Sequence, residues 1–180
     1  MKKTILLLLF FFSIPIVAQE KKTATNGSIY FEASVPFYEA VEAKNNQVYT
    51  VLNTKNGNIS FVALIKNFRF KRSLMEDHFN ANYMESDKYP KATFKGVIEK
   101  FSIAKINTTP TEYFIKGKIN IHGVTKNIRV PANISKTTSN AIVIHAFFTL
   151  NTEDFKIEIP FIVRNKIAQN VNVTLNTELQ

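Results

Sequence analysis

A chain of 180 residues has room for one domain of ordinary size. It contains no cysteine, which excludes disulfides, iron–sulfur clusters, a thiol nucleophile and a lipid-anchored N-terminus. The net charge of +9, from 23 basic and 14 acidic residues, suits an anionic membrane surface or an anionic ligand; the lysines are scattered singly, not gathered in a stripe, which argues against nucleic acid.

The N-terminus has a secretory layout: Lys2 and Lys3, an apolar run from Ile5 to Phe12, and a small residue at Ala18. The run is too short for a stable membrane anchor. A signal peptide over residues 1–18 is therefore predicted, cut after Ala18, with the domain over 19–180 and a periplasmic or secreted location. Lys2 and Lys3 leave with it, which lowers the charge from +9 to +7. Residues 19–28 are polar and are expected to form a loose lead-in.

Weak strand patterns follow at Ile29–Val35 and Val48–Leu52. After the turn signal Asn56-Gly57, Ile59, Phe61, Ala63 and Ile65 alternate with other residues, the period of a half-buried strand. The segment from Lys71 to Met84 breaks that period. Met75, Phe79 and Tyr83 are spaced for one helical face, so a short helix is expected over about Leu74–Asn82. Ser73 would be its N-cap and Glu76 would complete a capping box. Alternation resumes after Pro90 with Ala92, Phe94, Gly96 and Ile98.

Tyr113, Ile115, Gly117, Ile119 and Ile121 then share one face, with Lys116, Lys118, Asn120 and His122 on the other. Gly123 offers a turn, and Ile128, Val130, Ala132 and Ile134 continue the pattern. These two runs read as a hairpin, with Pro131 placing its strand at an edge or a bulge. Ile142 to Leu150 gives a longer strand, and Val171, Val173 and Leu175 a last one. The fold class is all-β: an antiparallel barrel of about eight strands with a short helix.

Few residues suggest chemistry. His78, His122 and His145 have no ligand-spaced partners, so no metal site and no cofactor is expected. His122, before Gly123, suits a hydrogen-bonded structural role. There is no G-x-S-x-G motif and no glycine loop for phosphate, and the carboxylates are mostly isolated. The chain is read as a non-enzyme. Phenylalanine is abundant, at sixteen residues, and either fills a core or lines a cavity.

The run LMEDHFNANYMESDKYPKATFKGVI, Leu74 to Ile98, resembles the central segment of the YceI-like family. YFIKGKINIHGVTKNIRVP, Tyr113 to Pro131, is similar to that family's hairpin, and Asp154-Phe155 with the following Ile-x-Ile-Pro matches its next block. The resemblance covers roughly residues 28–179. It implies an elongated, lipocalin-like barrel, exported from bacteria, and in some members a long isoprenoid chain inside. Many members open with an Asp-x-x-His-Ser stretch; here GSIYFEASVPFYEAVEA stands instead, without histidine before His78.

For a hollow barrel, the expected lining is Phe61, Ala63, Phe94, Ile119, Ile121, Ile144, Phe148 and Val173. Phe79 and Tyr83 would close one end, and His78 and Arg69 would meet a polar head. The leading function is binding of an amphiphilic, lipid-like small molecule such as an isoprenoid or quinone, with transient membrane-surface contact. The alternative is a structural or stress-response barrel with a filled core and a protein partner. An outer-membrane barrel is disfavoured by the polar alternate face at Lys116, Lys118 and Asn120.

Overall fold

The structure, a computed structural model, describes residues 20–180, and the predicted signal segment with its cut after Ala18 lies outside them. Period-two alternation becomes long antiparallel strands: β1 (Lys21–Ser34), β2 (Glu42–Asn53), β3 (Asn58–Leu64), β5 (Lys91–Ile98), β6 (Thr111–Ile121), β7 (Val124–Lys136), β8 (Ile142–Asn151) and β9 (Ile167–Leu179). Each pairs with the next, and β9 returns to pair with β1, so these eight strands close into an up-and-down barrel. A two-residue strand, β4 (Arg69–Phe70), pairs with Ala43 and Lys44 on β2.

The hairpin of β6 and β7 shows how the sequence dictates this. Its turn is only His122 and Gly123, both with positive φ (50° and 75°), the geometry whose twist matches that of the flanking strands. Glycine accepts such a φ freely; His122 does so while held by two side-chain hydrogen bonds described below. β7 pairs with β6 along its length but with β8 only from Ala132 to Lys136. Pro131 is the first position beyond that pairing, where a missing N–H disrupts no ladder to β8. The chain after β8 folds over the resulting gap as a short 3-10 turn, Glu153–Phe155.

Three expectations are corrected. Residues 21–28 are not a loose lead-in but the first half of β1, paired with β2 from Lys21↔Asn53 to Gly27↔Val48. Irregular register around Gly27 breaks the alternation that would have revealed it. A helical run does cover the expected Leu74–Asn82, but it is not one α-helix: α1 (Ser73–His78) runs directly into a single π-helical turn, Phe79–Tyr83. There is also no capping box, because Ser73 lies inside the helix and Arg72 is the cap residue. Glu76 instead turns back to β4, accepting hydrogen bonds from Arg69 Nη1 (2.5 Å) and the Phe70 N–H (3.1 Å).

The interior is packed unevenly along the barrel axis. The half that holds the β2–β3 and β7–β8 turns and the C-terminus is solid, with Leu52, Ile98, Ile134, Ile142, Ile144 and Leu179 fully buried. Ile106 seals it from the β5–β6 connection. The outer face is polar: Arg129 on β7 spans to Glu99 (2.9 Å) and lies on the Phe114 ring, 3.5 Å from its centroid. That contact with Arg129 holds the Glu99 carboxyl below its usual range.

Candidate functional site

The opposite half of the barrel is hollow. A cavity of about 530 Å³ lies between the C-terminal ends of β1, β3, β6 and β8 and the N-terminal ends of β2, β5 and β9. A smaller chamber of about 80 Å³ continues it toward the solid half. Ile29, Ala63, Ala92, Ile119 and Phe148 border both spaces and form the neck between them.

Strand register explains the taper. Ala63 faces Ala92 across β3 and β5, and two residues deeper Phe61 faces Phe94. Small side chains at the first pair leave the barrel wide; aromatic rings at the second, with centroids 6.0 Å apart, narrow it. Phe94 can lie along the wall because Gly96 and Gly117, paired across β5 and β6, offer no Cβ. One added at Gly96 would stand 2.6 Å from the Phe94 ring.

Near the mouth, four phenylalanines from separate elements meet. Phe31 of β1 packs against Phe68 (5.4 Å between centroids), Phe70 of β4 (5.8 Å) and Phe79 of the π turn (5.5 Å, stacked). Their tilted and stacked contacts are the favoured geometries for rings. Met75 and Tyr83 add to this wall, and Phe155, Ile157, Ile159 and Val163 of the β8–β9 connection cover the opposite side.

Polar groups are sparse and sit toward the mouth: Glu39, His78, Asn151, Thr152 and Lys166. Beside the mouth the Thr152 hydroxyl is buried without a hydrogen-bond partner among the described residues. Burial pushes the Tyr83 phenol above its ordinary pKa, so it stays a neutral donor.

The expected site residues fall at different depths. His78, Phe79, Tyr83, Ile121 and Val173 line the large cavity, Phe61 and Phe94 the inner chamber, and Ala63, Ile119 and Phe148 both. Ile144 belongs to the solid half and lines neither space. Arg69 also lies outside the lining, its guanidinium turned to Glu76 and to the Lys66 carbonyl. The sequence reading missed Ile29, Phe31, Phe68 and Phe70, as well as the β8–β9 connection. Alternation of Phe155, Ile157 and Ile159 was the signal available for that connection.

His122 is a strut beside this site. Its Nδ1 lies 3.1 Å from the Phe155 carbonyl and its Nε2 2.8 Å from Glu85 Oε2, while Tyr89 meets the ring edge-on at 4.6 Å. It thereby ties the β6–β7 turn to the segment after the π turn and to the β8–β9 connection. No hydroxyl or thiol is hydrogen-bonded to it to act as a nucleophile among the described residues.

The model of one protein family, the YceI-like domain, matches residues 21–179. Comparison with curated protein sequences finds no match. Among solved structures, the chain is similar to a polyisoprenoid binding domain from Saccharophagus degradans implicated in plant cell wall breakdown. The TM-score is 0.78 at 14% identity, covering 89% of this chain and 98% of that one. It is also similar to BcnA of Burkholderia cenocepacia, with a TM-score of 0.69 at 13% identity over 85% and 96% of the two chains. The Campylobacter jejuni YceI protein aligns over 99% and 98%, at 17% identity and a TM-score of 0.52. At such identities the likeness is one of fold.

Proposed function

This chain belongs to the YceI-like domain family, and from the blind apolar cavity in its barrel we propose that it is an exported binding protein for an amphiphile with an isoprenoid-like tail. The observation that carries the proposal is the cavity itself. Its volume of about 530 Å³ lies within the range of small-molecule sites, and its walls are apolar with a few polar groups at one end. That distribution suits a tail buried in the barrel and a head left near Thr152, Lys166 and His78. The polyisoprenoid binding recorded for the Saccharophagus degradans domain favours the same guest class. The secretory N-terminal pattern of residues 1–18 supports export.

Binding without a chemical step is proposed. A filled-core barrel acting through a protein partner would need side chains where the large cavity lies. Native mass spectrometry of protein purified from its own envelope, followed by organic extraction, tests the reading. The expected result is a bound amphiphile of discrete mass. A clean unliganded mass, with no uptake from a panel of isoprenoids, quinones and fatty acids, would overturn it.

A further inference from the structure

The large apolar side chains that remain in water are not spread evenly. Of the eight exposed ones among the described residues, five lie on the connections between strands at the mouth end, Phe37, Tyr38, Leu74, Phe161 and Ile162, and Leu64 ends β3 at the same end. None lies on the connections of the solid end. Phe161 and Ile162 are each 85% exposed at the tip of the β8–β9 connection, and Phe37 is fully exposed at the tip of the β1–β2 connection. Phe37 also has a φ of 70°, a left-handed backbone that a bulky residue rarely adopts. An aromatic ring held in water on a strained backbone is doubly unfavourable, and such features concentrate where a partner repays them.

The two tips act together. Asn165 Nδ2 donates to the Tyr38 hydroxyl (3.2 Å), and Tyr38 and Val163 both line the cavity mouth. Beside Phe161 and Ile162 the charge is positive. The stretch Pro160 to Lys166 has two basic residues and no acidic one. Arg164, Lys166 and Lys156 form no ion pair among the described residues. The nearest acids in sequence are Glu158 and Glu39, and Glu39 is neutralised by Arg72.

We infer that these paired tips dock the cavity mouth on an anionic lipid bilayer, with Phe37, Phe161 and Ile162 in the interface and Arg164 and its basic neighbours on the headgroups. Aromatic and aliphatic side chains flanked by cations are the composition that binds such a surface. The inference rests on the proposed carrier function, since it places the mouth where an amphiphile leaves the bilayer.

The test is sedimentation with vesicles of phosphatidylglycerol and phosphatidylcholine, using the chain without residues 1–18, whose barrel the described residues close by themselves. The expected result is binding to anionic vesicles that weakens with salt and is lost on phosphatidylcholine alone. The double variant F161S/I162S should reduce partitioning by about tenfold or more, and Arg164→Glu should steepen the loss on anionic vesicles. Uptake of a short isoprenoid alcohol from solution should be unchanged in both variants. Failure of the parent chain to sediment, or equal sedimentation of parent and variants, would overturn the docking. So would a dimer in the absence of vesicles that F161S/I162S dissolves, which would assign the tips to a second copy. Vesicle binding without uptake of any amphiphile would leave the docking intact and defeat the carrier reading.

Discussion

Ala63 and Ala92 decide where the barrel is wide. They face each other across β3 and β5 at the neck, one pair above the Phe61 and Phe94 rings. A larger side chain there would not expose new surface; it would fill space that is empty. Ala63→Phe should therefore shorten the cavity, lowering affinity for long-tailed amphiphiles by about tenfold or more. Its cost in stability should be modest, about 1 kcal/mol or less, because the neck has room for the ring. Tail-length series read by native mass spectrometry, with thermal melts of both proteins, check this. Equal affinity for long and short tails in the variant would show that the inner chamber takes no part in binding. The contribution of Gly96 and Gly117 belongs to the same scale, since without a Cβ they let Phe94 lie flat as the chamber wall.

Elements place these residues, and some were easier to read than others. β6 and β7 announce themselves because one face is apolar, the other charged, and a two-residue turn joins them. The first half of β1 does not, because its outward residues are polar and the irregular register at Gly27 interrupts the period. Alternation tells which way a side chain points but not its height in the barrel. Ile144 and Phe148 share a face, yet Ile144 is locked in the solid half and Phe148 lines the cavity. The wall contributed by Phe155, Ile157 and Ile159 alternates as well, but the run is short and lies in a connection outside the paired strands, so its period does not mark it as barrel wall. Helix α1 shows a different failure: Glu76 has the right spacing for a capping box but reaches β4 instead. Because that carboxylate holds α1 and the π turn over the phenylalanine cluster, Glu76→Ala should cost about 1–2 kcal/mol. Hydrogen exchange should quicken across residues 71–84 and not in β6 or β7. Unchanged exchange in 71–84 would show that the aromatic packing alone holds this cover.

At the scale of the whole molecule, β1 and β2 and the chain after β4 are joined on the outside by a small polar network. Tyr30 donates to Glu42 (2.5 Å), and Lys71 pairs with the same carboxylate (2.6 Å). The Tyr30 phenol is pushed up to about 12, first by this hydrogen bond and then by burial. The carboxyls of Glu42, Asp87 and Glu99 are held low by Lys71, Lys66 and Arg129 respectively. The signs follow from linkage. Depressed carboxyls stabilise the fold above their unfolded range and lose that contribution as pH falls through their folded values. A raised phenol stabilises it below its ordinary value of about 10. That contribution is lost as the pH rises toward about 12. Melting temperature should thus be level near neutrality and fall at both extremes, and Tyr30→Phe should flatten the alkaline fall and, because the Tyr30 hydroxyl also helps Lys71 hold Glu42 low, soften the acid fall more weakly. Parallel alkaline curves for the two proteins would remove Tyr30 from this account. The barrel's uneven packing has a last consequence, for kinetics. A space sealed at one end by Leu52, Ile98, Ile142 and Leu179 cannot be flushed through. An incoming guest cannot push the old one out from behind; the occupant must first back out through the opening it came in by. Exchange is then first order, with a half-time that extra competitor does not shorten.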